Sequence, residues 1–291
     1  MRMVVFGGTG LLGKALVAEA RTRGWAALAL SHSQAEITNR ERLLYWTDSF
    51  RPELVVNCAA YTKVDDCETH RDRAFAANGQ AVENLAAAAR QVGARLFHVS
   101  TDYVFDGTAT EPYKEDAPTA PQSVYGASKL EGERRALEYE KSLVVRTSWL
   151  FGPGGPSFVT TMLRLIDEGK LPLRVVHDQV GCPTYAPFLA GALLDLAATD
   201  LTGIVHYRNR EPVSWYDFAQ EIAHLWSGAA QVVPVPTAEF PRPAQRPAYS
   251  VLDVTRFEAA VGRRVEPWGW GLVEYLARLR QEKARKGRTS R

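Results

Sequence analysis

Short runs of consecutive apolar residues alternate, in the first half of the chain, with longer segments whose apolar positions recur every three or four residues. Met3, Val4, Val5 and Phe6 form the first run, and Leu12, Leu16, Val17 and Ala20 follow at helical spacing. The start therefore reads as strand, glycine turn and helix. The same reasoning predicts strands over Ala26–Leu30, Leu54–Asn57, 96–100 and 143–146, with helices over 41–50 and 72–92. Strands that are apolar throughout and separated by helices call for a buried parallel sheet with right-handed crossovers. Pro112, Pro118 and Pro121 mark 111–122 as a loop before the segment SVYGASKLEGE. Beyond about residue 151 the alternation weakens and proline rises. The expected fold is α/β: a doubly wound parallel Rossmann sheet over residues 1–150, a smaller C-terminal substrate-binding lobe over 151–280 and a basic flexible tail over 281–291.

Composition adds bounds. A length of 291 residues with 46% apolar and 23% charged residues suits an ordinary globular protein with a sizeable core. The net charge of +2 is too small and too dispersed to argue for a nucleic-acid partner. Within the last fourteen residues, RLRQEKARKGRTSR, seven are basic and one is acidic, which reads as a frayed, solvated end. Cys58, Cys67 and Cys182 lack metal-ligand spacing, and an odd number without a secretion signal makes no disulfide framework. No stretch approaches the roughly eighteen apolar residues of a membrane helix. A cytoplasmic protein without a membrane partner is expected.

Three motifs carry chemistry. Gly7, Gly10 and Gly13 have the spacing of a dinucleotide-binding turn, in which glycines allow close backbone approach and leave a helix N-terminus facing a pyrophosphate. With Leu11 and Leu12 they form a candidate cofactor site. Ser100, Thr101 and Asp102 fall at the end of a predicted strand, where open parallel sheets bind ligands, so the Thr101 hydroxyl could meet a substrate carbonyl. Tyr125 and Lys129 lie four apart in a predicted helix and share a face. A cation near a phenol favours proton exchange closer to neutrality, as carbonyl and alcohol interconversion requires.

Together Thr101, Tyr125 and Lys129 resemble the catalytic set of the extended short-chain dehydrogenase/reductase family. The runs VVNCAAYTKVDDCE, STDYVFDGTATEPYKEDAPTAPQSVYGASKLEGE, VVRTSWLFG, DQVGCPTYAPFLA and RPAYSVLD are similar to its dTDP-4-dehydrorhamnose reductase branch, over nearly the whole chain. The resemblance implies an NADPH-dependent reduction of a 4-keto-6-deoxyhexose carried on a nucleotide, with Tyr125 as proton donor and Thr101 holding the carbonyl oxygen. It implies that Lys129 both lowers the Tyr125 pKa and binds the nicotinamide ribose. It also implies that Asp102, Val104, Phe105 and Trp149 line the sugar pocket, with plain core as the alternative for Trp149. Glu36 and Ile37, with Thr38, resemble the family's run near the adenine, and thymidine as base comes from the resemblance alone. Residues 175–176 and the helix over 187–198 are expected to return to the nucleotide sheet.

The residues themselves refine this picture. Asn57, Ala59, Ala60 and Tyr61, just after a strand, are expected to face the cofactor. Ser31, His32 and Ser33 end the second strand without a carboxylate to repel a 2′-phosphate, which favours NADPH and leaves NADH open. His32 is either a phosphate ligand or a bystander. Arg246 is the candidate for the diphosphate through a bidentate fork, or else a residue that pins its loop. Some family members bind a divalent metal through acidic residues, but Lys14, Ala15 and Pro187 depart from that pattern and no metal is expected for the hydride step. A homodimer is left open. Two rival readings stand: a nucleotide-sugar epimerase or dehydratase, and a non-catalytic NADP-binding regulatory subunit.

Overall fold

The computed structural model describes residues 1–228 and 230–289, with side chains described up to residue 285 in the last helix. Its centre is a parallel sheet. The first turn of the chain gives β1 (Arg2–Phe6), α1 (Leu11–Thr22) and β2 (Ala26–Leu30), followed by α2 (Arg40–Phe50) and β3 (Leu54–Asn57). Two short helices, α3 (Val64–Thr69) and α4 (Arg71–Phe75), lead through a π-helical turn, Ala76–Gln80, into α5 (Ala81–Val92). Then come β4 (Arg95–Thr101), a 3₁₀ turn at Asp102–Val104, α6 (Val124–Leu137) and β5 (Ser142–Thr147).

The second half supplies β6 (Leu150–Phe151), α7 (Phe158–Asp167), β7 (Leu173–Val176), β8 (Val180–Gly181), β9 (Thr184–Tyr185) and α8 (Ala186–Ala197). The chain ends with β10 (Gly203–His206), β11 (Val213–Ser214), α9 (Trp215–Ser227), β12 (Val232–Val235), α10 (Thr255–Val261) and α11 (Trp268–Thr289). The six-stranded sheet runs β10-β5-β4-β3-β1-β2, every pairing parallel. The order reverses between β1 and β3. In such sheets the crevice at the carboxyl ends of the switch-point strands takes the ligand.

Both faces are covered. Leu12, Leu16 and Val17 of α1 pack with Leu189, Leu193 and Leu196 of α8 against Val5, Val56 and Val145. On the other face Val82, Leu85 and Ala89 of α5, with Leu43 of α2 and Ala136 of α6, cover Val4, Val55 and Val144. A third apolar cluster, around Phe151, Leu163, Phe218 and Leu272, is the core of the smaller lobe.

Several expectations need correction. Residues 175–176 do not return to the main sheet: β7 pairs with β12 in a separate parallel ribbon. What returns is α8, which packs on α1, together with β10, which extends the sheet beyond β5. The expected single helix over 72–92 is broken by the π-helical turn, which aims Asn78 inward. Its amide donates to Ser128 Oγ at 3.0 Å and accepts from Tyr61 N at 2.7 Å. Local rewinding of this kind is how a helix re-aims one side chain. The last residues, expected as a flexible tail, continue α11 as far as Thr289, and Ser290 and Arg291 lie outside the described residues. Arg, Lys, Glu, Gln and Ala favour helix, and Lys283 Nζ meets Asp167 at 2.5 Å and Trp226 at 4.6 Å. Among the described residues no helix is long and apolar enough to cross a membrane.

A buried ion pair locks α6 onto the sheet. Arg146 of β5 donates from Nε to Glu133 Oε1 at 2.9 Å and from Nη2 to Oε2 at 2.7 Å, and Ser100 Oγ donates to Oε1 at 2.5 Å. All three residues are buried. Removing one partner leaves an uncompensated charge, so Arg146→Met is expected to lower unfolding stability by about 3–5 kcal/mol. Denaturant unfolding of the two proteins checks this, and a loss under about 1 kcal/mol would contradict it.

Candidate active site

The β1–α1 turn is built for close approach. A Cβ on Gly13 would meet the Gly7 carbonyl oxygen at 2.2 Å, so Gly13 packs the helix onto the turn without lining the cleft, and Gly7 takes φ +75. Gly10 caps α1 with no side-chain bond, and no acidic residue sits in the first helical turn. The free N–H groups of α1 can thus receive an anion.

That turn forms one end of a cleft of about 1240 Å³. Gly7, Gly10, Leu11 and Leu12 line it with Ala59, Ala60 and Tyr61 from the end of β3, and with His32, Glu36 and Ile37 beyond β2. Thr101 and Asp102 from the end of β4 meet Tyr125 and Lys129 from α6 in the same cleft, and Trp149 stands farther along. These side chains fit a dinucleotide with a second ligand beside it.

The depth at which α6 sits follows from its glycines. A Cβ on Gly126 would meet the Tyr103 carbonyl oxygen at 2.1 Å, and one on Gly132 the Asn78 carbonyl oxygen at 2.1 Å. Ser123 caps the helix by accepting from Gly126 N at 3.1 Å, and Glu68 accepts from Val124 N at 2.9 Å. The helix therefore starts at a fixed place, with its cap two residues and its first residue one residue before Tyr125.

Burial pushes the Tyr125 phenol pKa up, a hydrogen bond with the Thr101 hydroxyl opposes the shift, and Asp102, Tyr103 and Cys67 add to it. The expected lowering by Lys129 is not what governs this phenol. Lys129 Nζ instead donates to the Val99 carbonyl oxygen at 2.7 Å and lies 3.3 Å from His98 Nε2. Burial lowers the Lys129 pKa to about 8, against the pull of Glu133. The pair is thus a protonated phenol and an amine that exchanges its proton near neutrality, both favoured as neutral forms by desolvation.

Thr101 accepts from Tyr103 N at 3.2 Å and donates to Asp102 Oδ1 at 3.0 Å. Asp102 is almost wholly buried, its Oδ2 has no hydrogen-bond partner among the described residues, and burial raises its carboxyl to about 6 against the pull of hydrogen bonds to Ser250 and Thr101.

Other expected site residues lie elsewhere. Val104 and Phe105 are core, not pocket wall: they pack with Tyr113, Leu130 and Leu252, and Phe105 stacks on Tyr113 at 4.2 Å. The 3₁₀ turn after Thr101 rotates them inward. Asn57 is buried beneath the cleft floor. Ser31 and Ser33 do not line the cleft, and Ser31 Oγ donates to Gln34 Oε1 at 2.8 Å. Arg246 also stays out of the lining. Its Nη2 donates to Asp65 Oδ1 at 2.9 Å, and its guanidinium lies over the Tyr103 ring at 5.8 Å, which pins its loop to α3. Although Ser31, His32 and Ser33 carry no carboxylate, Glu36 reaches back to His32 at 2.7 Å.

The sequence gives no warning of Arg73, Thr147, Phe158 or Trp215, all of which line the cleft. Trp215 stacks on Trp149 with centroids 3.5 Å apart and planes within 6°, and Phe158 packs on Trp215 at 4.5 Å. Trp149 has φ +45, and its ring covers Gly181, where a Cβ would sit 2.5 Å from it. Trp149 is therefore cleft wall. The VSWYDF run offers only an aromatic pair after a serine cap, a pattern shared with ordinary core helices.

The comparisons agree with this architecture. The family model described as "RmlD substrate binding domain" matches residues 1–281. The chain is 41% identical over 286 residues to a dTDP-4-dehydrorhamnose reductase of Streptomyces griseus, covering 96% of this chain and 94% of the relative. It is 40% identical over 276 residues to the spore coat polysaccharide biosynthesis protein SpsK of Bacillus subtilis, covering 94% and 96%. A crystal structure of dTDP-4-dehydrorhamnose reductase from Bacillus anthracis in complex with NADP superposes with a TM-score of 0.91 at 38% identity, covering 95% of this chain and 99% of that one.

The Asp102 carboxyl has a stability consequence. Its pKa is raised from 3.8 to about 6, so between these values the folded chain holds a proton that the unfolded chain has released. The penalty is absent below the unfolded value, grows as pH rises through that window, and is complete above the folded value. Asp102→Asn is expected to stabilise the fold at pH 7 by roughly 2–3 kcal/mol and to change little near pH 3. Unfolding curves at both pH values check this, and equal stability changes at the two would contradict it.

Proposed function

The chain belongs to the RmlD substrate-binding-domain family, and from that membership and its cleft we propose that it is an NADPH-dependent reductase of the C4 keto group of dTDP-4-dehydro-L-rhamnose, giving dTDP-L-rhamnose. The observation that carries this reading is that Thr101, Tyr125 and Lys129 line the same cleft as the Gly7–Gly10 turn. When bound, a reduced nicotinamide supplies the hydride.

The chain's own residues would do the rest. The α1 N-terminus and the glycine turn would hold the pyrophosphate. Tyr125 Oη would give its proton to the carbonyl oxygen, and the raised phenol pKa keeps that proton in place until the oxygen becomes basic. The Thr101 hydroxyl would donate to the same oxygen as charge develops, released from its bond to Asp102. Lys129, with a pKa near 8, would restore the Tyr125 proton. The Trp149 and Trp215 stack would wall the sugar from water.

The exposed His32 and the absence of a carboxylate among Ser31, His32 and Ser33 support NADPH as the cofactor. The relative bound to NADP supports the same choice. Three free cysteines, Cys58, Cys67 and Cys182, support a reducing compartment, the cytoplasm. Similarity to dTDP-4-dehydrorhamnose reductases over nearly full length supports the sugar.

NADPH consumption with dTDP-4-dehydro-L-rhamnose tests the reading. Wild-type turnover is expected, and Tyr125→Phe should lower kcat at least about a hundredfold while leaving NADPH affinity within a factor of about three. NADPH binding without turnover of this or any other dTDP-4-keto-6-deoxyhexose would overturn the reading in favour of a binding subunit.

A further inference from the structure

Beneath the cleft floor a file of polar side chains runs from β3 through β4 to α6. Asn57 ends β3, His98 is its register partner on β4, and Lys129 lies above on α6. All three are at least 98% buried, and the chemistry above uses only Lys129.

The hydrogen bonds of this file have one consistent direction. Ala59 N donates to Asn57 Oδ1 at 3.0 Å, which fixes the orientation of the amide. Asn57 Nδ2 then faces His98 Nδ1 at 3.0 Å, and an amide NH₂ only donates. His98 Nδ1 must therefore accept. Burial and the neighbouring Lys129 push the His98 pKa well below its ordinary value, so the ring is neutral and its single proton sits on Nε2. That N–H points at Lys129 Nζ, 3.3 Å away, while Nζ donates to the Val99 carbonyl oxygen at 2.7 Å. A neutral amine completes the chain, with its lone pair receiving the imidazole N–H. An ammonium has no lone pair and sets donor against donor.

We propose that Asn57 and His98 are positioning residues that set the charge state of Lys129: the Ala59 backbone orients the Asn57 amide, the amide selects the His98 tautomer, and the tautomer presents a donor to the amine. Proton uptake at Nζ leaves His98 with one proton but moves it from Nε2 to Nδ1, where it meets the Asn57 amide N–H. Turning the amide relieves that clash only by giving up the bond from Ala59. One bond of the file is lost either way, which favours the amine roughly tenfold.

The other groups around Lys129 are Cys58 from the segment after β3, and Tyr125 and Glu133 one turn to either side on α6. Glu133 favours the ammonium, but its carboxylate is already taken by Arg146 and Ser100. Cys58 is a neutral thiol, pushed by burial to about 12. The consequence, a lysine able to re-supply the Tyr125 proton near neutral pH, rests on the reductase reading; the hydrogen-bond file does not.

The test is NMR of the cofactor-free chain with isotope-labelled histidine and lysine, titrated from about pH 6 to about pH 10, around the Lys129 transition. Ring-nitrogen shifts distinguish the two neutral tautomers, and Lys129→Met assigns the lysine signal. The expected result is His98 as the Nε2–H tautomer at high pH, converting to Nδ1–H along the same curve as Lys129 takes up its proton. Lys129→Met should abolish that conversion. Asn57→Asp, whose carboxylate accepts from Nδ1, should hold the Nδ1–H tautomer throughout. An Nδ1–H tautomer in the wild type at every pH, a conversion that does not track Lys129, or an Nε2–H tautomer that survives Asn57→Asp would overturn the proposal. None of these readouts needs sugar or cofactor, so a failed turnover assay leaves the proposal standing and a wrong tautomer leaves the reductase reading standing.

Discussion

The seating of α6 against the carboxyl end of β4 is the constraint on which the rest depends. Two glycines let the helix touch neighbouring carbonyl oxygens, and the Arg146–Glu133 pair with Ser100 clamps it to β4 and β5. Because Ser100 directly precedes Thr101, and Glu133 lies one turn beyond Lys129, the clamp fixes the strand end and the helix face together. Thr101, Tyr125 and Lys129 need no loop to order them. A site carried on a strand end and a packed helix holds its geometry better than one carried on loops.

Desolvation then decides the protonation states. Burial is the leading influence on Tyr125, Lys129, Asp102 and His98, and in each it favours the neutral form. That keeps the Tyr125 phenol protonated and leaves Lys129 an amine in easy exchange with its ammonium, the polarity that the proposed carbonyl reduction requires. The same burial costs stability at Asp102, where one carboxylate oxygen finds no partner among the described residues. Local cost at a functional position, offset by tight packing elsewhere, is common in enzymes.

The sheet, the glycine turn and the Thr, Tyr and Lys set are legible in the sequence because each is a local spacing: apolar runs, glycines three apart, a phenol and an amine four apart. What is not legible depends on contacts distant in sequence. Residues 175–176 look like any buried strand, and only pairing with Val232–Val235 takes them out of the main sheet. Val104 and Phe105, which the resemblance puts in the pocket, are swung into the core by the 3₁₀ turn that follows Thr101. Trp215 reaches Trp149 only because β8 pairs with β11, which brings α9 over the cleft. The Asn57–His98 contact needs the register between β3 and β4, and a histidine inside an apolar strand gives no hint of it.

In the proposed reaction this cleft moves hydride directly to the sugar carbonyl carbon while Tyr125 protonates the oxygen. The most direct test supplies NADPH deuterated at the transferring position of the nicotinamide and follows the product by NMR. The account predicts one deuterium, retained at C4 of the sugar, with the hydroxyl proton drawn from exchangeable sources. Deuterium at another carbon, or its loss to solvent, would contradict it.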